Sequence, residues 1–383
     1  MKKIVLYILC LIIFQSCSTI IKFKNLPNTT GQYIIGTDIF EFEDNSRNEY
    51  FTEDSDDLRK IVVQVWYPAI AVTDSIYPYL DNDEIRIPEI AKQINIPSKL
   101  IKNISKIKTN AYYKAKPINK TFPVIIFSHG LGGTKIQNSI NVEALVSNGY
   151  IVFALDHPYD ANITIFENGD IAKFDAYLPD NTTEEEFWKV RLPHINTRAD
   201  DISFLINRLE KLKKSNFLIV KNCDLNNIGV FGHSFGGGTS ILSSYKDDRI
   251  SACINLDGWL EPVPNYVINE GLEIPFCYIG QIQKYWDGAK FNEQRLYKFH
   301  ENSTKSTIIE IKGTTHFDYS DSPYFNRMIS RLYGVSNKEG KNIAIDLSDL
   351  IVNYFDYYLK NNENKWMEPI TNKYEVKLKK NEY

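Results

Sequence analysis

The sequence predicts an α/β fold with a mostly parallel central sheet of about eight strands and helices on both faces. Short, continuous apolar runs alternate with amphipathic helical patterns from residue 122 onward. Continuous apolar runs are typical of strands that are covered on both faces, and their alternation with helices indicates a parallel sheet. Six of these runs are FPVIIFSHG, YIVFALD, NIGVFGHS, ISACINLD, IPFCYIGQ and TIIEIKG.

Two more strands are predicted nearer the N-terminus, where GQYIIGTDIFEFED and KIVVQVWYPA are separated by a polar, acidic stretch that indicates a hairpin. Helices are predicted where apolar residues recur every three or four positions. These helices cover Ile140 to Gly149, Ile195 to Leu209, a segment that opens at Phe235, and Leu347 to Tyr358.

Two segments have no clear period. Residues 73–120 are Lys-, Asn- and Ile-rich, and we assign them to an excursion on the surface. The polar segment 158–190 forms either a solvated insertion, which the composition favours, or a lid or pocket wall.

The composition is that of a globular protein, since 43% of the 383 residues are hydrophobic and 24% are charged. A formal net charge of −4 provides no basic field for a phosphate backbone, so nucleic acid is not expected as a partner. The motifs described below must converge on one sheet, so residues 32–383 are predicted to form a single domain. The oligomeric state stays open.

The first residues indicate export. Lys2 and Lys3 precede an apolar run from Ile4 to Phe14, which is too short to span a bilayer and is typical of a secretory signal. Residues 1–16 resemble a bacterial lipoprotein signal, with Cys17 as the lipid-modified first residue and 17–31 as a tether. The alternative is an ordinary signal peptide in which Cys17 is incidental. The lipoprotein interpretation predicts an exported protein of the bacterial cell envelope that is anchored to a membrane.

The other cysteines predict no covalent framework. Once Cys10 and Cys17 are set aside, three remain, namely Cys223, Cys253 and Cys277, with no C-x-x-C pair. Neither a disulfide scaffold nor a zinc site is expected from them. The sequence also lacks nucleotide-loop and H-E-x-x-H patterns, so no metal or cofactor is expected.

A candidate nucleophile lies in Gly232-His233-Ser234-Phe235-Gly236, where a buried strand ends and a helix begins. In this strand-to-helix context the G-x-S-x-G pattern indicates a nucleophile, because a serine on such a turn exposes its hydroxyl at the edge of an α/β-hydrolase sheet. The helix N-terminus that follows favours developing negative charge. Ser234 is therefore the predicted nucleophile, and an ordinary glycine turn is the alternative.

A serine nucleophile needs a base, and the base needs an orienting acid. Of the six histidines, His316 follows the last predicted strand and fits the chain order Ser, acid, His. The acid has two candidates. Asp257 ends the strand after the nucleophile's helix, where a side chain is best fixed, and Asp287 follows the next strand, the more usual location in this fold.

A tetrahedral intermediate of acyl transfer carries an oxyanion that needs two hydrogen-bond donors. The backbone N–H of Phe235, directly after the candidate nucleophile, is one. The loop FSHGLGGT after an earlier strand supplies the other, with Leu131 placed to donate.

Taken together, FSHGLGG, GHSFGG, NLDGW and THFDYSD resemble the platelet-activating factor acetylhydrolases of the plasma and type II intracellular kind. The resemblance covers roughly residues 32–360. It implies that Asp257, in Asp257-Gly258-Trp259, is the acid.

The resemblance implies calcium-independent hydrolysis of a short or oxidised sn-2 acyl ester on a phospholipid. Two alternatives stay open, a general carboxylesterase or polyester-type hydrolase and a catalytically silent surface lipoprotein that uses the fold only for binding.

Overall fold

A computed structural model describes residues 22–70, 75–179, 181–215, 217–282, 288–325 and 340–382 of the chain. Its strands are β1 Ile34–Asn48, β2 Leu58–Ala69, β3 Ile76–Pro78, β4 Lys108–Tyr113, β5 Phe122–Ser128, β6 Ile151–Asp156, β7 Ile163–Ile165, β8 Ile171–Lys173, β9 Cys223–His233, β10 Ile250–Leu256, β11 Phe276–Gln281, β12 Lys305–Ile311 and β13 Val376–Glu382. Eleven of them form one sheet in the order β13-β12-β11-β10-β9-β5-β6-β2-β1-β4-β3, and β7 pairs with β8.

The centre of the sheet is parallel, as predicted. From β6 through β5, β9, β10 and β11 to β12, every neighbouring pair runs in the same direction. The first hairpin is also confirmed, because β1 pairs antiparallel with β2, which pairs antiparallel with β6. The strands that carry the predicted site motifs therefore end at one edge of the sheet.

The predicted count of about eight strands is too low. The three additional strands of the large sheet are β3, β4 and β13, all at or next to its edges. The first two are short, and β13 has the lysine-rich sequence VKLKKNE. Edge strands are half exposed and are often protected by lysine, so they lack the continuous apolar runs that reveal central strands.

Helices cover both faces of the sheet. They are α1 Asp83–Gln93, α2 Ser98–Ile101, α3 Ser139–Ser147, α4 Glu184–Lys213, α5 Leu218–Lys221, α6 Phe235–Lys246, α7 Asn265–Glu270, α8 Ala289–Asn302, α9 Ser322–Phe325, α10 Gly340–Leu359 and α11 Glu368–Thr371, with 3-10 turns at Lys102–Lys106 and His316–Tyr319. Apolar residues of α3 and α10 form the core on one face, and those of α4, α6 and α8 form the core on the other.

The helix predicted from Ile195 begins earlier, at Glu184. Thr183 and Glu186 form a reciprocal capping box at its start, so the polar residues before Ile195 belong to α4. The rest of the segment 158–190 includes the β7–β8 hairpin, whose Ile163 and Ala172 are buried. Residues 160–164 are thus packed against the domain, whereas residues 167–171 and 183–186 are exposed, so only part of the segment is solvated.

Residues 73–120 likewise differ from the predicted surface excursion. The described part, from residue 75, contributes β3, β4, α1 and α2, and it buries Ile87, Ala91 and Ile101 in the core. The elements are too short to show a period in the sequence.

Part of the predicted tether also contacts the domain. The Leu26 N–H donates to the Lys108 carbonyl over 3.0 Å, and the Lys24 N–H donates to the Phe325 carbonyl over 3.1 Å. Leu26 is buried. Residues 24–26 are therefore held on the surface beside α9 and β4.

Candidate active site

Ser234 lies on a strained turn between β9 and α6. Its φ of 56° and ψ of −120° place a residue with a side chain in a region that favours glycine, a form of strain that clusters at functional sites. A Cβ built on Gly236 would lie 2.0 Å from the Ser128 carbonyl oxygen, and one on Gly232 would lie 2.2 Å from the Gly236 oxygen. Only glycine at these two positions lets the turn approach the end of β5, so the motif is explained by packing.

Asp257 and His316 are in direct contact. Asp257 Oδ2 lies 2.7 Å from His316 Nδ1, although the two residues are far apart in the chain. The buried carboxylate also accepts hydrogen bonds from the Tyr278 hydroxyl over 2.9 Å and from the Gln281 side chain over 2.7 Å and its N–H over 3.1 Å. These donors fix the carboxylate, which in turn holds the His316 ring through Nδ1.

The ring of His233 contacts His316 as well. His233 Nε2 donates to the His316 carbonyl over 2.9 Å, and the two ring centroids are 4.6 Å apart. Burial lowers the pKa of His233 to about 3, so its ring is a neutral donor. His233 therefore holds the loop of His316 beside Ser234, a contact that no sequence signal indicates.

The loop that carries Leu131 lies against the turn of Ser234. A Cβ built on Gly130 would lie 3.3 Å from the Ser234 Cβ. Hydrogen bonds fix the loop on either side of Leu131, because the Gly130 N–H donates to the Gln137 side chain over 2.7 Å and the Gly132 N–H to the Asp160 carbonyl over 2.8 Å.

Phe235 is the first residue of α6. The first N–H groups of a helix have no partner within the helix. The predicted donor Phe235 thus stands at the first position of a helix, and the loop of the predicted donor Leu131 packs against Ser234.

Two other histidines also bind an aspartate through Nδ1. His157 lies 2.9 Å from Asp201 Oδ2, and His194 lies 3.0 Å from Asp160 Oδ2. The first of these pairs even has a serine hydroxyl, that of Ser128, 3.1 Å from its Nε2.

Exposure separates the three pairs. The His316 side chain is 37% exposed, whereas those of His157 and His194 are 0% and 5% exposed. Ser128 is fully buried. The Ser128–His157–Asp201 array has the contacts of a triad but no access for a substrate, and among the described His–Asp pairs only His316–Asp257 can meet one.

A cavity of about 490 Å³ opens beside the loop of Leu131. Its walls include Ile94, Ile96, Leu131 and Phe317, and its described lining residues are all uncharged. A smaller cavity of about 160 Å³ shares this wall and continues under α1 among isoleucine side chains. Gln93, at the end of α1, donates to the Gly132 carbonyl over 3.0 Å and so ties this wall to the loop.

Two residues singled out in the sequence, Cys17 and Asp287, lie outside the described residues. Cys223, Cys253 and Cys277 are buried and free of disulfides. Within the described ranges, no group of three or more His, Cys, Asp or Glu side chains is placed to hold a metal ion. No helix in that part of the chain is long and apolar enough to cross a membrane.

Comparisons with known proteins identify relatives of the chain and proteins of similar fold. The chain is 27% identical over 267 residues to a platelet-activating factor acetylhydrolase of Gallus gallus, an alignment that covers 63% of this chain and 62% of that protein. It is 34% identical over 142 residues to a probable 1-alkyl-2-acetylglycerophosphocholine esterase of Arthroderma benhamiae, covering 37% of this chain and 33% of that protein. The chain thus aligns with less than two thirds of the length of either relative.

Among solved structures, a ferulic acid esterase from Streptomyces cinnamoneus superposes with a TM-score of 0.75 at 22% identity, covering 93% of this chain and 99% of that chain. This likeness confirms the predicted α/β-hydrolase fold. The family described as platelet-activating factor acetylhydrolase, isoform II, matches residues 19–376, which is nearly the whole chain. The chain belongs to the platelet-activating factor acetylhydrolase, isoform II, family.

Proposed function

We propose that the protein is a serine esterase that hydrolyses carboxylic esters through an acyl-enzyme. The observation that carries this proposal is the 2.7 Å contact between Asp257 and the accessible His316, beside the strained turn of Ser234. In this proposal Ser234 is the nucleophile, His316 the general base and acid, and Asp257 the group that fixes the His316 tautomer.

Acylation begins when Ser234 Oγ attacks the ester carbonyl carbon and His316 Nε2 accepts the hydroxyl proton. The carbonyl oxygen gains a negative charge and accepts hydrogen bonds from the Leu131 and Phe235 N–H groups. Each such donor lowers the barrier by about 3 kcal/mol. Collapse of the intermediate breaks the bond to the alcohol oxygen, which takes the proton from His316.

Deacylation repeats these steps with water. His316 takes a proton from the water, whose oxygen attacks the acyl carbon, and then returns the proton to Ser234 Oγ as the carboxylic acid leaves. The cycle uses only protein side chains, backbone N–H groups and water.

The substrate we propose is a phospholipid with a short or oxidised acyl chain, and the names of the relatives, which refer to acetyl esters, support the short chain. The uncharged cavity beside Leu131 suits the acyl chain. The same cavity also favours a second candidate, a carboxylesterase of broad specificity. Its described walls offer no charged group for a zwitterionic head group, so the cavity alone does not select a phospholipid.

A substrate panel distinguishes the two candidates. We expect the purified protein to release acetate from a 2-acetyl glycerophosphocholine in EDTA, and Ser234→Ala to release none. The panel would extend the sn-2 chain and exchange the head group, with aryl acetates as the reference. Rapid cleavage of aryl acetates without turnover of any phospholipid would favour the general carboxylesterase.

A fluorophosphonate probe tests whether the site reacts at all. We expect it to label the folded protein at Ser234 and to leave Ser234→Ala unlabelled. Absence of labelling in folded protein would revive the alternative in which the fold serves only for binding.

We also propose that the protein is exported and held at a membrane through a lipid on Cys17. The proposal rests on the signal-like residues 1–16. Cys17→Ser should shift the protein from the membrane fraction to the soluble fraction. Unchanged membrane association in this variant would contradict the lipid anchor.

A further inference from the structure

One arginine contacts both elements that carry the proposed oxyanion donors. Arg198, on α4, is fully buried. Its guanidinium donates to the Ser128 hydroxyl over 2.9 Å and to the His129 carbonyl, two residues before Leu131. The same guanidinium lies 5.0 Å from the ring centroid of Phe235, at the start of α6. Arg198 thus bridges the end of β5 and the beginning of α6.

The charge of Arg198 has no carboxylate in contact. Its Nε and Nη1 atoms are buried without a hydrogen-bond partner, and no ion pair joins it to any described Asp or Glu. Asp160 and Asp201 attract Arg198 without contacting it, and they bind His194 and Arg59 directly. A buried cation with no carboxylate in contact costs free energy of folding.

The groups in direct contact with this guanidinium are neutral, whereas the charged Asp160, Asp201 and Arg59 act on it without contact. His157 donates through Nδ1 to Asp201, so its Nε2 accepts from the Ser128 hydroxyl, which in turn accepts from Arg198. Burial lowers the pKa of His157 to about 4 and that of His129 well below its ordinary value. Burial also lowers the pKa of Arg198 to about 10, which leaves it protonated at neutral pH. Arg198 is therefore a protonated group that contacts the oxyanion loop directly, through the His129 carbonyl.

We propose that Arg198 is a positioning residue of the oxyanion hole. It fixes the separation between the loop of Leu131 and the first turn of α6, and its buried charge favours the negative oxygen over the neutral carbonyl. This inference rests on the proposed esterase function. Because the carbonyl gains its charge only during reaction, loss of Arg198 should lower kcat more than it raises KM.

The test compares Arg198→Met and Arg198→Lys with the wild type on a short-chain aryl ester. Misplacing a reacting group by about 1 Å costs about 100-fold, so we expect Arg198→Met to lower kcat about 10- to 100-fold with KM within about twofold. Arg198→Lys keeps the positive charge but loses the planar set of N–H donors that the guanidinium provides. Its kcat should therefore lie between those of Arg198→Met and the wild type. If Arg198→Met does not fold, Ser128→Ala removes one of the two partners and should lower kcat about 2- to 10-fold.

Arg295→Met is the matched control. Arg295 is also buried, donates to the Leu260 and Val263 carbonyls and lies 5.5 Å from the Phe291 ring, but it contacts neither oxyanion element. Its variant should lose thermal stability and keep kcat per folded molecule. If both methionine variants lower kcat equally, the effect comes from general loss of packing and the proposal is wrong.

Binding of a transition-state analogue is a measurement that would not change selectively if Arg198 had a purely structural role. A trifluoromethyl ketone forms a tetrahedral oxyanion on the serine, whereas the matching alcohol does not. Arg198→Met should weaken the ketone by about the same factor as kcat/KM falls and leave binding of the alcohol unchanged. Equal weakening of both ligands would overturn the proposal. If the wild type cleaves no ester and does not bind the ketone, the esterase function itself fails.

Discussion

The contact between His233 and the His316 carbonyl allows a quantitative prediction. His233→Phe keeps a ring of similar size and removes the donor. Removing one partner of a buried hydrogen bond costs about 1–3 kcal/mol. If the whole of this cost is added to the activation free energy, kcat falls about 5- to 150-fold, since a tenfold change in rate corresponds to about 1.4 kcal/mol. His233→Gln can place an amide N–H near the position of Nε2 and should lose less.

The assay is kcat on a saturating short-chain ester, with the free energy of unfolding measured in urea for each variant. His300→Phe is the control, because His300 is also buried and makes one short hydrogen bond, 2.7 Å to the Ser306 hydroxyl, away from the site. It should lower stability but not kcat. If His233→Phe is folded and keeps kcat within about twofold of the wild type, His233 does not position His316.

Three further predictions concern the turn, the acid and a buried carboxyl. The free energy of unfolding of Ser234→Gly, measured in urea, should exceed that of Ser234→Ala by about 1 kcal/mol, because glycine relieves the backbone strain. Equal free energies of unfolding would contradict this. Asp257→Asn should lower kcat about 10⁴-fold, whereas Asp287→Asn should not, and the reverse result would reassign the acid. Burial raises the pKa of Glu143 from 4.5 to about 7, so stability falls as the pH rises through this interval. The gain in unfolding free energy of Glu143→Gln should grow between about pH 5 and 7.5; a constant gain would refute this.

The centre of the fold was predictable because its strands are buried on both faces. Apolar runs such as those of β5, β6 and β9 can be recognised as strands from the local sequence alone. The edge strands were not predictable in this way. In β13, lysines alternate with Val376 and Leu378, and strand character depends on pairing with β12, which the local sequence does not specify.

The residues of the proposed triad could be singled out because each stands in a local motif at a strand end. The residues that support them could not. His157 and Arg198 occur in polar stretches of sequence, yet both are fully buried, and each is defined by partners far along the chain. Likewise, the contact from His233 to His316 depends on how two separate loops meet.

The docking of the N-terminal residues on the domain limits how the protein could lie on a membrane. Lys24 is held beside α9, and Phe23 lines the smaller cavity under α1. Six residues lie between Cys17 and Lys24, so the two residues are at most about 25 Å apart when this segment is fully extended. A lipid on Cys17 would therefore be joined to the domain by a short tether, which would keep the side of the molecule that carries the cavity near the bilayer. The length of this tether would then set how the cavity is oriented toward a lipid substrate, and no charged membrane-binding surface would be needed.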